Sequence, residues 1–379
     1  MNDNEYCLVT FADIKKAFDT VNINLLLHKM SRYGIRGKAN NLFSSILHNR
    51  KQRVLVGGKY SSLLNVCHGV PQGSCLAPIL FNLYINDIFH VINLCSCILY
   101  ADDTALICKN KNLLNAVQYM NCVLNTLQDW LLFNKLALNM NKTKYIIISL
   151  RPVLYKQLIN INNFNIDEVQ NFKYLGIYIN NKLDYDEQFN YISGKLSMFK
   201  DISSKVSASF NLNAAITFYY SHIYSLLIYG IHFWGARLLS SVKYNFLIKK
   251  HRNIIRNLFY RFSIPFCCIR CLQKKFGLLD IYDIYKVHLA TMVYQSYICK
   301  TGSVHIQNTI NSCLRNNIYG TRSTDDFKLP FCRINALNNN YTIMSIKIWN
   351  SIPSNIRLSN SLKGFKKDYT LFLLSDYHC

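Results

Sequence analysis

Acidic side chains are scarce in this chain of 379 residues, which has 20 Asp and Glu against 43 Lys and Arg and a formal net charge of +23. From Ile202 to Leu279 no acid occurs, while Lys and Arg occur eleven times. A positive excess of this size argues against cationic partners and favours a polyanion. Nucleic acid is the first candidate and an anionic membrane is the second.

Charged side chains of either sign are absent from Val206 to Ala236, a stretch long enough to cross a bilayer. Lipid would be a poor surrounding for this stretch, because many of its side chains are polar. They include Asn211, Asn213, Thr217, His222 and His232. The composition therefore predicts a buried pair of helices instead of a membrane span.

The sequence predicts no export signal and shows no internal repeat. The first residues are polar and acidic, unlike the charged-then-apolar order of a signal peptide. The 14 cysteines are scattered, often inside apolar runs, so most are predicted to be reduced, buried thiols of a nuclear or cytoplasmic protein. Half of the residues are hydrophobic, and the length is enough for two or three structural units with a substantial core.

A zinc site is not predicted. Cys268 and Cys271 give a C-x-x-C spacing next to Cys267, but a structural zinc site needs a second pair of ligands at short spacing. No such pair follows, since His288 and the later cysteines are widely separated. These cysteines are therefore interpreted as buried thiols.

What the chain does contain is a pair of adjacent acids between two apolar runs, in the stretch from Cys97 to Cys108. This pattern predicts a β-hairpin with Asp102 and Asp103 at its turn. Neighbouring carboxylates repel each other, and a fold keeps them together at little cost if a cation lies there. Hard oxygen ligands suit Mg²⁺. An ordinary polar turn is the alternative.

A second apolar strand, Tyr6–Asp13, also ends on an acid, and the segment Gly69–Ser74 (GVPQGS) lies between the two. With these segments in this order, the chain resembles the reverse transcriptase of a non-LTR, LINE-type, jockey-like retrotransposon. The strand that ends on Asp13 resembles the first palm motif of that family. Gly69–Asp87 resembles the second motif and Tyr100–Asp103 (YADD) the third.

The resemblance implies an α+β fold, with a polymerase palm made of an antiparallel sheet and helices on one face. The palm would cover residues 1–183, a helical thumb 184–262, and a C-terminal region of helices and loops 263–379. Later segments, such as Ser225–Trp234 and Trp349–Pro353, extend the resemblance to nearly the whole chain. The fingers region of the family, which precedes the first palm motif, would be largely absent, so the chain is expected to be N-terminally truncated.

Periodicity and turn residues give the elements in more detail. The predicted helices are Asn24–Tyr33, Lys38–Leu47, Cys75–Val91, Lys111–Phe133 and Tyr341–Trp349, with a mainly helical stretch from Tyr185 to Ile298. The predicted strands are a hairpin around Gly57-Gly58, Tyr145–Ser149 and a single strand over Phe172–Ile179, in which Gly176 would allow another backbone to approach.

Transfer of a nucleotide to a primer 3′-hydroxyl by two metals requires carboxylates that converge from different strands. The resemblance implies that Asp13, Asp102 and Asp103 are this catalytic set and hold two Mg²⁺ ions, with Mn²⁺ as the alternative metal. A matching lysine-bearing motif contains Lys142 and Lys144, one of which would neutralise or protonate the pyrophosphate leaving group. Lys142 is the catalytic candidate, and a solvated lysine is the alternative.

Substrate contacts are implied in the same way. Phe18 would lie beneath the incoming sugar, where it would collide with a ribose 2′-hydroxyl. Without the resemblance, an aromatic residue at this position would be interpreted as part of the hydrophobic core. Gln72, Gly73 and Ala101 would contact the nucleotide, with a plain tight turn as the alternative for the Pro-Gln-Gly loop. Asp19 is expected to cap a helix over Thr20–Met30.

Two further groups would hold the nucleic acid. Tyr174, Leu175 and Gly176 would form the primer grip. Lys249, Arg252 and Arg256 fall on one helical face, with Tyr260 a turn beyond, and would track the phosphate backbone. A solvated charged face is the alternative.

The expected function is that of a nucleotidyltransferase, an RNA-directed DNA polymerase that uses an RNA template, a DNA primer and dNTPs. The sequence predicts no membrane partner and leaves protein partners open. One alternative is an inactive retrotransposon relic that only binds nucleic acid. Another is a domesticated or maturase-like RNA-binding protein.

Overall fold

The computed structural model describes residues 5–153, 159–162, 164–239, 242–263, 268–314, 327–329 and 340–377. The chain divides into two compact units, Asp3–Leu183 and Asp184–Cys379. The division falls where the palm was expected to end.

A six-stranded sheet forms the centre of the first unit, with strand order β6-β7-β1-β8-β10-β9. Its strands are β1 Tyr6–Asp13, β6 Ser96–Tyr100, β7 Asp103–Asn110, β8 Lys144–Ile148, β9 Ile159–Ile161 and β10 Phe164–Glu168. Smaller ladders join β2 Arg50–Gln52 to β5 Leu64–Val66, β3 Leu55–Val56 to β4 Lys59–Tyr60, and β11 Asn171–Tyr174 to β12 Ile177–Asn180.

Alternation along β1 gives the sheet two buried faces. Leu8 and Ala12 point into a core shared with helices, whereas Val9 and Phe11 point to the opposite face. The helices are α1 Ala17–Thr20, α2 Ile23–Arg32, α3 Gly37–Leu47, α4 Ala77–Ile85, which continues as a 3₁₀ turn over Asn86–His90, and α5 Leu113–Phe133. The predicted α+β architecture, with helices on one face of the sheet, is confirmed.

Two details of the sheet differ from the expectation. Strand β10 pairs with β8 in parallel, so the sheet is not wholly antiparallel. The predicted single strand over Phe172–Ile179 is instead the β11–β12 hairpin, in which Tyr174 pairs with Ile177. Its two-residue turn has φ of 46° at Leu175 and 82° at Gly176. Positive φ at both positions is what a tight hairpin turn requires, so Gly176 serves the turn and does not mark a close approach within a strand.

The second unit is helical in its described residues. Its helices are α6 Asp186–Ser209, α7 Leu212–Phe218, α8 Ser225–Ile228, α9 Ile231–Trp234, α10 Val242–Phe259, α11 Ile269–Phe276, α12 Ile281–Tyr297, α13 Val304–Ser312, α14 Tyr341–Asn350, α15 Ser354–Arg357 and α16 Leu362–Ser375. A π-helical segment, Tyr219–Tyr224, joins α7 to α8.

The uncharged stretch from Val206 to Ala236 contributes Tyr219, Leu227 and Trp234 to the core of this unit, as the prediction of buried helices requires. None of the helices in the described ranges is long and apolar enough to cross a membrane.

The expectation of reduced, buried cysteines is wrong at several positions. Cys95 and Cys108 form a disulfide at the base of the β6–β7 hairpin, with Cα atoms 4.6 Å apart. Several free cysteines are exposed, namely Cys67, Cys75, Cys122, Cys268 and Cys299. In the C-x-x-C segment, the Sγ of Cys268 accepts a hydrogen bond from the backbone N–H of Cys271 and so caps α11, while Cys267 lies outside the described residues.

Candidate active site

Three carboxylates from distant parts of the sequence meet at one end of the sheet. Strands β1 and β7 are antiparallel, and their register places Asp13 directly opposite Asp103. In the β6–β7 hairpin Tyr100 pairs with Asp103, so Ala101 and Asp102 form the turn. Side chains directly opposite each other lie on the same face of a sheet, and like charges in such a pair are destabilising. The fold thus builds an acidic site that something cationic must compensate.

The turn itself is strained. Ala101 has φ of 52°, in the left-handed region that residues with a Cβ rarely adopt. Such conformations cost on the order of 1–3 kcal/mol and cluster at functional sites. The left-handed conformation of Ala101, which positions the Asp102 that follows it, therefore has an energetic cost. The packing of the hairpin must compensate for this cost.

The electrostatics of Asp103 show that the acids affect one another. Burial raises the pKa of the Asp103 carboxyl, and the negative charges of Asp102 and Asp13 raise it further. Oxygen donors that repel one another fit a divalent cation such as Mg²⁺. Among the described residues, no group of three or more His, Cys, Asp or Glu forms a ready-made metal cage. Mg²⁺ does not need one, because it is held by one or two carboxylates together with water and substrate phosphates.

The loop after α5 is attached to the backbone of Asp13. The N–H of Asn139 donates to the carbonyl of Asp13 at 2.7 Å, and the hydroxyl of Thr143 donates to the carbonyl of Asn139 at 2.9 Å. This anchoring places the Lys142 ammonium 3.9 Å from an Asp13 carboxylate oxygen, with 70% of the lysine side chain exposed. Lys144 instead pairs with Asp167 at 2.6 Å. Lys142 is thus the lysine beside Asp13, while Lys144 also lines a cavity at the acids but pairs with Asp167.

The Pro-Gln-Gly loop lies against the segment that follows β1. The N–H of Gly69 donates to the carbonyl of Val21, and the N–H of Val70 donates to the carbonyl of Phe18. Gly69 has φ of 80°, and a Cβ there would lie 2.8 Å from the carbonyl oxygen of Asp19, so the close approach of the two backbones requires glycine at this position. At Gly73 an added Cβ would meet nothing within 4 Å, and only its φ of 82° favours glycine.

Asp19 does not cap the next helix, contrary to expectation. It lies inside the short helix α1, and the cap of α2 is Asn22, whose side chain accepts from the N–H of Leu25 at 3.0 Å. The Asp19 carboxylate instead accepts a 2.7 Å hydrogen bond from the amide of Gln72. Gln72 is therefore held at the edge of the site by Asp19.

A cavity of about 650 Å³ connects these features, a size within the ~300–1,000 Å³ of small-molecule sites. It contains Asp13, Asp102, Phe18 and Gln72 in its lining, and the Phe18 ring stacks on Phe81 with centroids 4.6 Å apart. Three further cations line the same cavity, Lys15, Lys16 and Lys135. None of the three is among the predicted site residues, although Lys15-Lys16 directly follows the strand that ends on Asp13.

The β11–β12 hairpin lies on the other side of the acids. A second cavity of about 430 Å³ is lined by Asp13, Asp103, Lys142 and Tyr174 among others. Phe172 stacks on Phe11 of the sheet with centroids 4.2 Å apart, which fixes the hairpin. Burial raises the pKa of Tyr174, and the charge of Asp103 raises it further. Asp13 and Lys142 line both cavities.

In the second unit, the three cations predicted to share one face of α10 have different surroundings. Lys249 and Arg256 are exposed, but Arg252 forms an ion pair with buried Asp280, so its assignment as a free phosphate contact is corrected. Asp280 also accepts from Arg270 at 2.9 Å and from the Gln273 amide at 2.7 Å. Burial alone would raise the pKa of Asp280, but these hydrogen bonds and the two guanidinium charges hold it below its usual value. Arg252 thus serves the core of the unit.

A smaller concavity lies between α6 and α10. It has a volume of about 410 Å³ and is lined by Arg256, Tyr260, Arg261 and residues of α6. Arg261 donates to the backbone carbonyls of Ser207 and Ala208, which holds that guanidinium in place.

Comparison with known proteins identifies related sequences. Residues 1–179 match the sequence model of the family described as reverse transcriptase (RNA-dependent DNA polymerase). The chain is 28% identical over 272 residues to the RNA-directed DNA polymerase from mobile element jockey of Drosophila melanogaster, covering 68% of this chain and 28% of that protein. It is 27% identical over 260 residues to the probable RNA-directed DNA polymerase from transposon BS of the same organism, covering 63% of this chain and 28% of that protein.

Among solved structures, the chain is similar to telomerase from Candida albicans, in a complex with a fragment of telomeric RNA. The TM-score is 0.34 at 12% identity, over 78% of this chain and 49% of that one.

Proposed function

We propose that this chain, whose residues 1–179 belong to the reverse transcriptase family, is the polymerase segment of a non-LTR retrotransposon protein and copies RNA into DNA. The chain spans about 28% of the length of the jockey and BS polymerases that it matches. The observation that carries the proposal is the register of β1 and β7, which brings Asp13 opposite Asp103 beside the Asp102 turn.

Asp13, Asp102 and Asp103 would hold two Mg²⁺ ions, or Mn²⁺ in their place. When bound there, such ions neutralise charge on the transferred phosphate and favour ionisation of the primer 3′-hydroxyl. The protein supplies the oxygen ligands on a rigid sheet, so that the ligands do not have to be ordered when the reaction begins. The pKa of Asp103 is raised by burial and then by the charges of Asp102 and Asp13, and a bound cation would offset both effects, which supports this assignment.

The remaining residues would position the substrates. The Lys142 ammonium would neutralise, or donate a proton to, the pyrophosphate leaving group, and its place beside Asp13 supports that role. Gln72, fixed by Asp19, would contact the nucleotide, with Gly73 and Ala101 alongside. Tyr174, Leu175 and Gly176 would grip the primer end across the second cavity.

The division of the chain also supports the expected organisation. Residues 1–183 would be the palm, and 184–262 the helical thumb, with 263–379 as the C-terminal region. Lys249 and Arg256, both exposed on α10, would contact the phosphate backbone of the template–primer duplex. These contacts are indifferent to sequence, as a polymerase requires.

The test is primer extension. The purified chain, a DNA primer annealed to an RNA template, dNTPs and Mg²⁺ are expected to give extended primer, and omission of Mg²⁺ is expected to abolish extension. Salt-sensitive binding of the duplex without extension in either Mg²⁺ or Mn²⁺ would contradict polymerase activity for this chain and favour the binding-only alternative.

Phe18 is expected to set the preference for deoxynucleotides. Its ring lines the cavity beside Asp13 and is supported by Phe81, so a ribose 2′-hydroxyl would collide with it. We expect Phe18→Ala to raise the relative kcat/KM for a ribonucleotide about 10- to 200-fold, the range for steric discrimination in a pocket. The measurement is single-nucleotide extension with dGTP against GTP.

Phe18→Tyr is the matched control for this prediction, because it keeps the ring and should keep the preference for dGTP. An unchanged ratio of dGTP to GTP in Phe18→Ala would show that Phe18 is only a core residue.

A further inference from the structure

A second acid-free segment lies in the first unit, between the strand that ends on Asp13 and the YADD turn. From Thr20 to Asn86 there is no Asp or Glu in the sequence. The same segment contains eight Lys and Arg residues: Lys29, Arg32, Arg36, Lys38, Arg50, Lys51, Arg53 and Lys59. Lys29 is buried and pairs with Asp87. Most of the positive charge of this segment is therefore available to a partner.

Half of these cations lie on one projecting hairpin, residues 50–66, here called the basic arm. Its ladders are β2 with β5 and β3 with β4, and the turn is Gly57-Gly58, with φ of 56° and 81°. Paired strands and a tight turn give the arm a defined shape. Yet every residue from 51 to 65 is exposed. The arm is an ordered element that packs on little of the unit that carries it.

An aromatic ring on the arm is already paired with a cation. The guanidinium of Arg53 lies 3.8 Å from the centroid of the Tyr60 ring, and Tyr60 itself is 58% exposed. A nucleic-acid base stacks on such a ring, and the neighbouring Arg contributes both charge and stacking. Leu55, which is exposed, pairs with Tyr60 across the β3–β4 ladder and so lies on the same face as the ring. Apolar surface interleaved with cations is typical of platforms for unpaired bases.

The root of the arm contains a basic cavity of about 570 Å³. The side chains of His48, Arg50, Lys51 and His68 contribute to its lining, together with several asparagines, and none of its described lining residues is acidic. Arg50 is held in place because it donates to the carbonyls of Leu47, His68 and Gly69. A fixed guanidinium among other donors is suited to a phosphodiester oxygen.

The basic cavity and the acidic site lie on two sides of the same backbone. Thr20 and Gln72 line the cavity of the acidic site, whereas Asn22 and His68 line the basic cavity. The two segments are joined between these points by the hydrogen bond from Gly69 to Val21. The root of the arm is therefore next to the acidic site along these two segments.

We propose that the basic arm and the cavity at its root bind single-stranded template RNA that has not yet been copied. Phosphates lie at Arg50 and Lys51, and a base stacks on Tyr60 beside Arg53. The assignment of the strand as template rests on the proposed function. The binding of single-stranded RNA does not.

The test is fluorescence anisotropy of a labelled 15-nucleotide single-stranded RNA with the full chain. Lys51→Glu/Arg53→Glu is expected to weaken binding at least tenfold and to lower the slope of log K against log salt by about 0.7, since Lys51 is the phosphate contact that it removes and each such contact on a single strand contributes about 0.7. Tyr60→Ala is expected to weaken binding about tenfold with an unchanged salt slope, because stacking releases no counterions.

The matched control is Lys109→Glu/Lys111→Glu, which makes the same change in net charge at two exposed positions at the end of β7 away from Asp103. The control should change the dissociation constant less than threefold. Equal effects of the two double variants would overturn the proposal, since binding would then follow net charge alone. Because residues 51–65 are exposed, unchanged circular dichroism is expected in all variants.

Template–primer duplexes with overhangs of 2 and 12 template nucleotides separate this proposal from the polymerase function. The wild-type chain should bind the longer overhang more tightly, and Lys51→Glu/Arg53→Glu should lose that gain. If the chain extends the primer but binds both overhangs equally tightly, the arm proposal is overturned and the proposed polymerase function is not. If the chain binds the longer overhang more tightly but does not extend the primer, the arm proposal is supported and the proposed polymerase function is contradicted.

Discussion

Asp13→Asn is expected to lower the rate of primer extension by about 10³-fold or more. The carboxylate faces Asp103 across β1 and β7, so its loss removes a ligand from the proposed metal site. Metal-borne stabilisation of the transition state amounts to several kcal/mol, and each 1.36 kcal/mol is a factor of ten in rate. The measurement is single-turnover extension on an RNA template at saturating dNTP.

Binding must be measured on the same variant, because weak binding of the duplex would also slow extension. Asp13→Asn should bind the template–primer at least as well as the wild type, since it removes negative charge near phosphate. Asp129→Asn, at an exposed acid on α5, is the matched control and should extend primer normally. Extension by Asp13→Asn within tenfold of the wild type would be incompatible with a ligand role.

Asp280→Asn is expected to destabilise the second unit by about 1–3 kcal/mol, because two guanidinium groups that are only partly exposed lose the buried carboxylate with which they pair. The side chain of Asp280 is 6% exposed and pairs with both Arg252 and Arg270. Its backbone N–H also donates to the hydroxyl of Tyr377, which ties the end of the described chain to the start of α12. The substitution keeps the shape of the side chain and removes its charge.

Urea unfolding followed by tryptophan fluorescence measures this effect, because Trp234 and Trp349 are both buried in the second unit. The pKa of Asp280 is lowered in the folded protein, so its stabilising contribution is present above the ordinary pKa of an aspartate. That contribution is lost as the pH falls through the lowered pKa. The wild type should therefore lose stability in acid, and Asp280→Asn should show a flatter profile.

Asp201→Asn, at an exposed acid on α6, is the control for stability and should change the free energy of unfolding by less than about 0.5 kcal/mol. An equally small effect for Asp280→Asn would show that the two arginines do not depend on that charge.

Much of the acidic site could be predicted from the sequence, because local patterns and long-range pairing agree there. Apolar runs next to acids predicted β1 and the β6–β7 hairpin, and antiparallel pairing of β1 with β7 brings these acids to one end of the sheet. The motif around Lys142 and Lys144 left the choice between the two lysines open. The tertiary pairing of Lys144 with Asp167, which the sequence does not reveal, favours Lys142.

The wrong predictions concern residue types that occur in more than one structural role. An apolar run over Phe172–Ile179 looks like one strand, and Leu175 gives no sign of the positive φ that turns it into a hairpin. The sequence position of Asp19 is typical of a helix N-cap, yet its carboxylate accepts a hydrogen bond from the side-chain amide of Gln72. Arg252 shares a helical face with two exposed cations, but its partner Asp280 ends the acid-free stretch 28 residues further on. Periodicity cannot reveal such pairings.

The binding of Mn²⁺, measured by electron paramagnetic resonance of the free ion, tests most directly the claim that the carboxylates of β1 and β7 form one metal site. In the presence of template–primer, the wild-type chain should bind up to two Mn²⁺ ions, and Asp13→Asn/Asp103→Asn should leave the ions free at the same concentration. Equal binding of Mn²⁺ by the wild type and the double variant would contradict the account.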